Sequence, residues 1–128
     1  MQKISLRVST GILFGVAVAV VLTVPGYAHH GWGGNSEQES EITGTVEAPV
    51  SLAGPHATMK VRVGGQVWDI TMAPSARTER AGLKEGIIPM GATVTLLGHK
   101  NKTTNRFEMK TEKVTWNSRI FLVYPDLH

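Results

Sequence analysis

Alternating apolar and polar residues predict short β-strands through the last two thirds of the chain. In residues 41–50, apolar and polar positions alternate along most of the segment, as on a strand with one buried face. Two further alternating runs flank Gly64-Gly65, a dipeptide typical of a two-residue β-hairpin turn. The pattern therefore predicts three consecutive strands, over residues 41–50, 57–63 and 66–72.

The hairpin around Gly64-Gly65 predicts its own register. Pairing the residues that flank the turn places Met59 opposite Ile70 on an apolar face. The same pairing places Lys60 opposite Asp69 on the other face, which gives an oppositely charged cross-strand pair. One register thus accounts for both faces of the hairpin.

The pattern changes after residue 72. Pro74 and Gly82 suit the first turn of a short helix and the residue past its end. Within residues 106–116 the apolar positions switch parity, which indicates a β-bulge or a bend. Further strands are predicted over residues 92–98, 106–116 and 120–124.

This element order predicts a mainly β protein. Three strands, one short helix and two or three strands fit a small OB-like, partly open barrel of five to six strands. The helix falls between strands 3 and 4, and a small open sandwich is the alternative architecture. The barrel domain is expected to span residues 41–128, after a flexible, Gly-rich N-terminal arm at residues 29–40.

Residues 1–28 have the pattern of a cleaved secretory signal peptide. A basic start with Lys3 and Arg7 precedes an apolar run, and small residues, Gly26 and Ala28, precede the expected cut. The run of about 14 residues is shorter than the roughly 20 that a bilayer core requires, so no stable membrane anchor is expected after cleavage. The sequence has no cysteine, which excludes a lipoprotein anchor. A periplasmic or secreted protein is predicted.

The charge balance changes once the leader is set aside. The leader carries two of the 13 basic residues and none of the 10 acidic ones, so the remaining charges nearly cancel. A nucleic-acid surface usually shows a clustered excess of Lys and Arg, which this pattern lacks. The charge pattern therefore predicts that nucleic acid is not a partner. The expected partners are a metal ion or an envelope protein.

Cleavage after Ala28 would make His29 the amino-terminal residue. Its α-amine and imidazole can chelate a metal, and nitrogen donors of this kind suit Cu(II). His30 or His56 would supply a second imidazole. The histidines can equally be ordinary polar residues of the arm and strand. Catalytic motifs such as His-Glu-x-x-His and Gly-x-Ser-x-Gly do not occur, so no catalytic residue is predicted.

Three motifs resemble a family of small exported bacterial proteins of unknown function. They are Ala28-His29-His30, the strand at residues 42–46, and Gly54-Pro55-His56-Ala57. The family has asparagine where this chain has Gly54, and Ser-Phe at residues 31–32. The resemblance implies that His29, His30 and His56 belong together, and it supplies no activity. From the histidines and the lack of catalytic motifs, we expect an exported metal-binding protein, with copper as the metal, that acts as a carrier or sensor rather than as an enzyme.

The alternative function is an OB-like binding module for envelope glycans or a protein partner, without a metal. OB-like barrels bind ligands on the face of their second and third strands. Here the outer face would carry Thr58, Lys60, Arg62, Asp69 and Thr71, with no exposed aromatic residue for stacking. His99 is expected just past a strand and in solvent.

Overall fold

The computed structural model describes residues 32–127. The chain divides between Gly33 and Gly34 into two compact units, and of the first unit only a turn at residues 32–33 is described. The second unit contains β1 (Ser40–Ser51), β2 (His56–Val63), β3 (Gln66–Pro74), α1 (Ser75–Arg80), β4 (Thr93–Lys100), β5 (Glu108–Trp116) and β6 (Arg119–Leu122), followed by a 3-10 turn at Pro125–Leu127. The predicted boundaries at residues 28 and 40 stay predictions.

The six strands form one sheet that closes into a barrel. Their order is β3-β2-β1-β4-β5-β6, and a parallel pairing of β3 with β5 joins the ends of a five-strand barrel. The remaining strand, β6, adds to β5 in antiparallel fashion. The predicted mainly β, OB-like barrel with one short helix between strands 3 and 4 is confirmed, and the open sandwich is not formed.

The predicted register of the β2–β3 hairpin is also confirmed. Met59 pairs with Ile70, and Lys60 pairs with Asp69, whose carboxylate accepts a hydrogen bond from the lysine Nζ. Met59 is 3% exposed and Ile70 is 1% exposed, whereas the ion pair lies on the outside of the barrel. The apolar side of the alternation therefore faces the core.

The core fills the barrel with aliphatic side chains from every barrel strand. The core also includes Leu83 and Ile88, which are buried in the segment that connects α1 to β4. Its fully buried large side chains include Ile70, Met72, Leu83, Ile88, Leu96 and Met109. Across residues 32–127, no helix is both long enough and apolar enough to cross a bilayer.

The predicted bulge lies in β5. Leu97 pairs with Lys113 but Gly98 pairs with Thr111, so Glu112 is an extra residue between the two pairs. The backbone carbonyl of Glu112 accepts hydrogen bonds from the N–H groups of Val123, at 2.9 Å, and Tyr124, at 3.3 Å. These bonds satisfy a carbonyl that the bulge removes from the β4–β5 ladder.

Gly98 lets the two strands approach at the bulge. A Cβ atom at this position would lie 2.1 Å from the carbonyl oxygen of Lys110 and 2.8 Å from the Cα atom of Thr111. Neither contact is sterically possible, and both involve backbone atoms. Glycine is therefore required here by close backbone approach.

Candidate metal centre

Three side chains converge beside the bulge. His99, Glu112 and Glu39 each offer one ligand atom, and these three atoms lie within 4.8 Å of one another. His99 Nε2 is 3.3 Å from Glu112 Oε2. One imidazole and two carboxylates form a donor set that suits divalent transition metals.

The three residues come from neighbouring segments of the sheet. His99 lies near the end of β4, which is paired with β1 on one side and β5 on the other. The β5 bulge inserts Glu112 beside it. On the other side, Glu39 lies in a break in the pairing, between the isolated bridge Asn35–Asn101 and the first β1 pair, Ser40–Gly98. An irregularity in each flanking segment thus brings a carboxylate to the central histidine.

A backbone carbonyl fixes the orientation of the His99 ring. His99 Nδ1 lies 2.8 Å from the carbonyl oxygen of Ser36. A carbonyl oxygen only accepts hydrogen bonds, so Nδ1 carries a proton and donates it. In the neutral ring the lone pair then lies on Nε2, the atom that faces Glu112. Metal-binding histidines are commonly held in this way by a hydrogen bond from their other nitrogen.

Burial changes the acidity of Glu112. Its side chain is 2% exposed. Desolvation, with a hydrogen bond to Glu39, raises the pKa of Glu112 to about 7, while the neighbouring His99 acts in the opposite direction. The carboxyl group therefore binds a proton near neutral pH, at a position where a metal cation would replace that proton.

The expectation for His99 is wrong. It lies within β4, and its side chain is 17% exposed rather than in solvent. The ring is covered because Ser36 and Glu112, which are distant in sequence, both contact it. The sequence holds one signal for this site, the parity switch in β5, which indicates a bulge without showing what faces it.

Of the three histidines predicted as copper ligands, the structure describes only His56. His29 and His30 lie outside the described residues, so their part in a copper site stays a prediction. His56 begins β2, and its pKa is lowered by burial and by the positive charge of Lys110. That charge also repels a cation, and the three-residue cluster found within residues 32–127 does not include His56.

The predicted ligand face lies on the outside of β2 and β3, but its charges are balanced. Lys60 forms an ion pair with Asp69, and Arg62 Nη2 lies 2.6 Å from Oε1 of Glu47 on β1. Thr58 pairs with Thr71 between these strands. Both cations of this face, Lys60 and Arg62, are therefore paired with a carboxylate, and they give the face no net positive charge.

Comparison with known proteins supports the fold and gives no family. No family model matches the sequence, and no curated protein sequence does either. The resemblance to an exported bacterial family therefore stays a prediction.

Some solved structures match part of this chain and share little sequence with it. A ZRD-deleted mutant of TiaS, crystallised with agmatine, has a TM-score of 0.52 at 12% identity and is matched over 71% of this chain. This chain spans only 27% of that protein. The Stn1-Ten1 complex of S. pombe has a TM-score of 0.47 at 15% identity, over 63% of this chain and 59% of the other. Rim1, a mitochondrial single-stranded DNA binding protein of S. cerevisiae, has a TM-score of 0.47 at 9% identity, over 62% and 93%.

The confirmed fold corrects one expectation about partners. We predicted that nucleic acid is not a partner, and that exclusion is contradicted because the chain forms an OB-like barrel, a fold class that binds oligonucleotides as well as oligosaccharides. The nearly balanced charge of the sequence was not sufficient ground for the exclusion. An OB-like barrel is compatible in kind with a binding module, as the alternative function above requires.

Proposed function

We propose that this chain is an exported OB-fold protein that binds a divalent transition-metal ion through Glu39, His99 and Glu112. It would act as a carrier or sensor rather than as an enzyme. The observation that carries the proposal is the convergence of one imidazole and two carboxylate ligand atoms within 4.8 Å. This cluster shares no residue with the predicted ligand set of His29, His30 and His56, so it is a different site from the predicted one.

The chemistry of the donors supports a borderline metal ion. Imidazole suits Zn(II) and Fe(II), whereas carboxylate also suits Mn(II). Three protein ligands leave one or more coordination positions for water or another donor. Glu39 is exposed and Glu112 is buried, so an ion can reach the cluster from the solvent side without opening the barrel.

Calorimetric titration with Zn(II) at pH 7.5 tests the proposal. Glu112→Gln and Glu39→Gln keep the shape of each side chain and remove one anionic ligand. We expect each to weaken binding by about tenfold or more, the scale on which even supporting residues affect metal affinity. Glu108→Gln, on the same strand as Glu112 but outside the cluster, is the control and should bind zinc like the original protein.

The comparison between variants, rather than total binding, reports on this cluster. Zinc bound at another place in the chain would be unaffected by Glu112→Gln. Equal affinities for all four proteins, or no zinc binding by the original protein, would contradict the proposal.

On the sequence alone, we also propose a separate copper site at the amino terminus that cleavage would create. The amine and imidazole of His29 would bind Cu(II) together with His30 or His56. Electron paramagnetic resonance can compare the chain beginning at His29 with one that has an added glycine before His29. We expect the extension to weaken a nitrogen-rich Cu(II) site, and equal spectra and affinities would contradict this second site.

A further inference from the structure

A strap of polar residues holds one side of the metal centre. We define the strap as residues 34–40. Ser36 donates its N–H to the carbonyl of Lys100 at 2.8 Å, and Lys102 donates its N–H to the carbonyl of Gly34 at 3.0 Å. The Asn35 Nδ2 group donates to the carbonyl of His99 at 2.8 Å. The strap therefore extends the edge-to-edge contact of β1 with β4 beyond Ser40.

The strap contributes no side chain to the hydrophobic core. None of its side chains is apolar, and none is buried. Each hydrogen bond it makes stabilises the folded state only modestly, because the same groups bond to water when the strap is released. Ordering each residue costs backbone entropy of comparable size. Segments of this kind belong to the least stable parts of a fold.

The metal centre depends on the attached strap in two ways. Glu39, which is one of the three ligands, belongs to the strap. The carbonyl of Ser36, also in the strap, orients the ring of His99. With the strap released, the cluster would keep only His99 and Glu112 and would lose the group that holds the imidazole in position.

We infer that a bound metal ion fastens the strap to β4 and β5, so that the strap is held when the site is occupied and released when it is empty. This inference rests on the proposed metal binding. The ion binds the attached state more tightly because only that state supplies all three ligands, and such a difference in affinity shifts the equilibrium. Release would uncover the backbone groups of residues 99–102, which gives a sensor two distinguishable surfaces.

Amide hydrogen exchange followed by mass spectrometry tests the inference on the full chain, with either EDTA or Zn(II) present. At a free zinc concentration of about ten times the dissociation constant, linkage predicts about tenfold slower exchange within residues 34–40. Glu39→Gln should abolish this slowing. Glu41→Gln is the matched control, because Glu41 is an exposed residue of β1 outside the cluster, and it should behave like the original protein.

The outcomes separate the inference from the proposed function. If calorimetry detects zinc at the cluster but exchange in the strap is unchanged, the inference that the metal ion fastens the strap is wrong and the metal site stands. If zinc slows exchange equally in Glu39→Gln, the inference that Glu39 links the ion to the strap is wrong. If zinc does not bind at the cluster, the proposed function and this inference both fail.

Discussion

At the scale of single residues, the unusual feature is a carboxyl group at a buried position. Glu112 is 2% exposed, and its pKa of about 7 exceeds the ordinary value of 4.5 because burial disfavours the charged form. The folded protein therefore holds this proton at higher pH than the unfolded chain does. By linkage, the free energy of unfolding falls as the pH rises from about 4.5 to about 7, and it is lowered throughout the range above 7.

Glu112→Gln should remove that pH dependence. Glutamine keeps the shape of the side chain and does not ionise, so the penalty above pH 7 disappears. When the pH rises from 4.5 to 7.5 in EDTA, the free energy of unfolding should fall in the original protein by roughly 2–3 kcal/mol more than in Glu112→Gln. Urea denaturation at both pH values measures this, with Glu108→Gln as the control. Parallel pH profiles for the original protein and Glu112→Gln would contradict the account.

At the scale of elements, the site depends on the irregular pairing of β4 and β5. The bulge places Glu112 out of the regular ladder, and Gly98 permits the backbone approach that the bulge requires. A Cβ atom at Gly98 would meet backbone atoms, which cannot move away as a flexible side chain can. The β5 bulge in this form therefore requires glycine at position 98.

Gly98→Ala tests the dependence of this region on close approach. The added Cβ would lie 2.1 Å from the Lys110 carbonyl oxygen, so the strands must separate. We expect a loss of about 2–3 kcal/mol in the free energy of unfolding, together with weaker zinc binding. Gly65→Ala is the control, since nothing lies within 4 Å of its added Cβ, and its effect should stay within about 0.5 kcal/mol. Equal stability of the two variants in urea would be inconsistent with the proposed role of Gly98.

Local sequence patterns predicted the elements but not the site between them. The hairpin register around Gly64-Gly65 followed from neighbouring residues, because a two-residue turn fixes the pairing on both sides. The bulge in β5 was visible as a parity switch. His99 was misplaced because its environment comes from Ser36, which lies 63 residues away, and from Glu112, displaced by the bulge. No local pattern reports such contacts.

At the scale of the whole molecule, the element order was sufficient to predict the OB-like barrel. The parallel pairing of β3 with β5 closes the barrel, and the register of β4 and β5 brings Glu112 beside His99 in the candidate metal centre. Charge balance was a poor guide at this scale. The exclusion of nucleic acid rested on the balanced charge and on the lack of a clustered excess of Lys and Arg along the sequence, and neither reports which charges the fold brings together on one face.

The most direct test of the central claim is an anomalous difference map from a crystal of the protein soaked in Zn(II). The account predicts one strong peak about 2.0–2.2 Å from His99 Nε2 and from carboxylate oxygens of Glu112 and Glu39. Zinc bound at another place with no peak at these three residues would contradict the account.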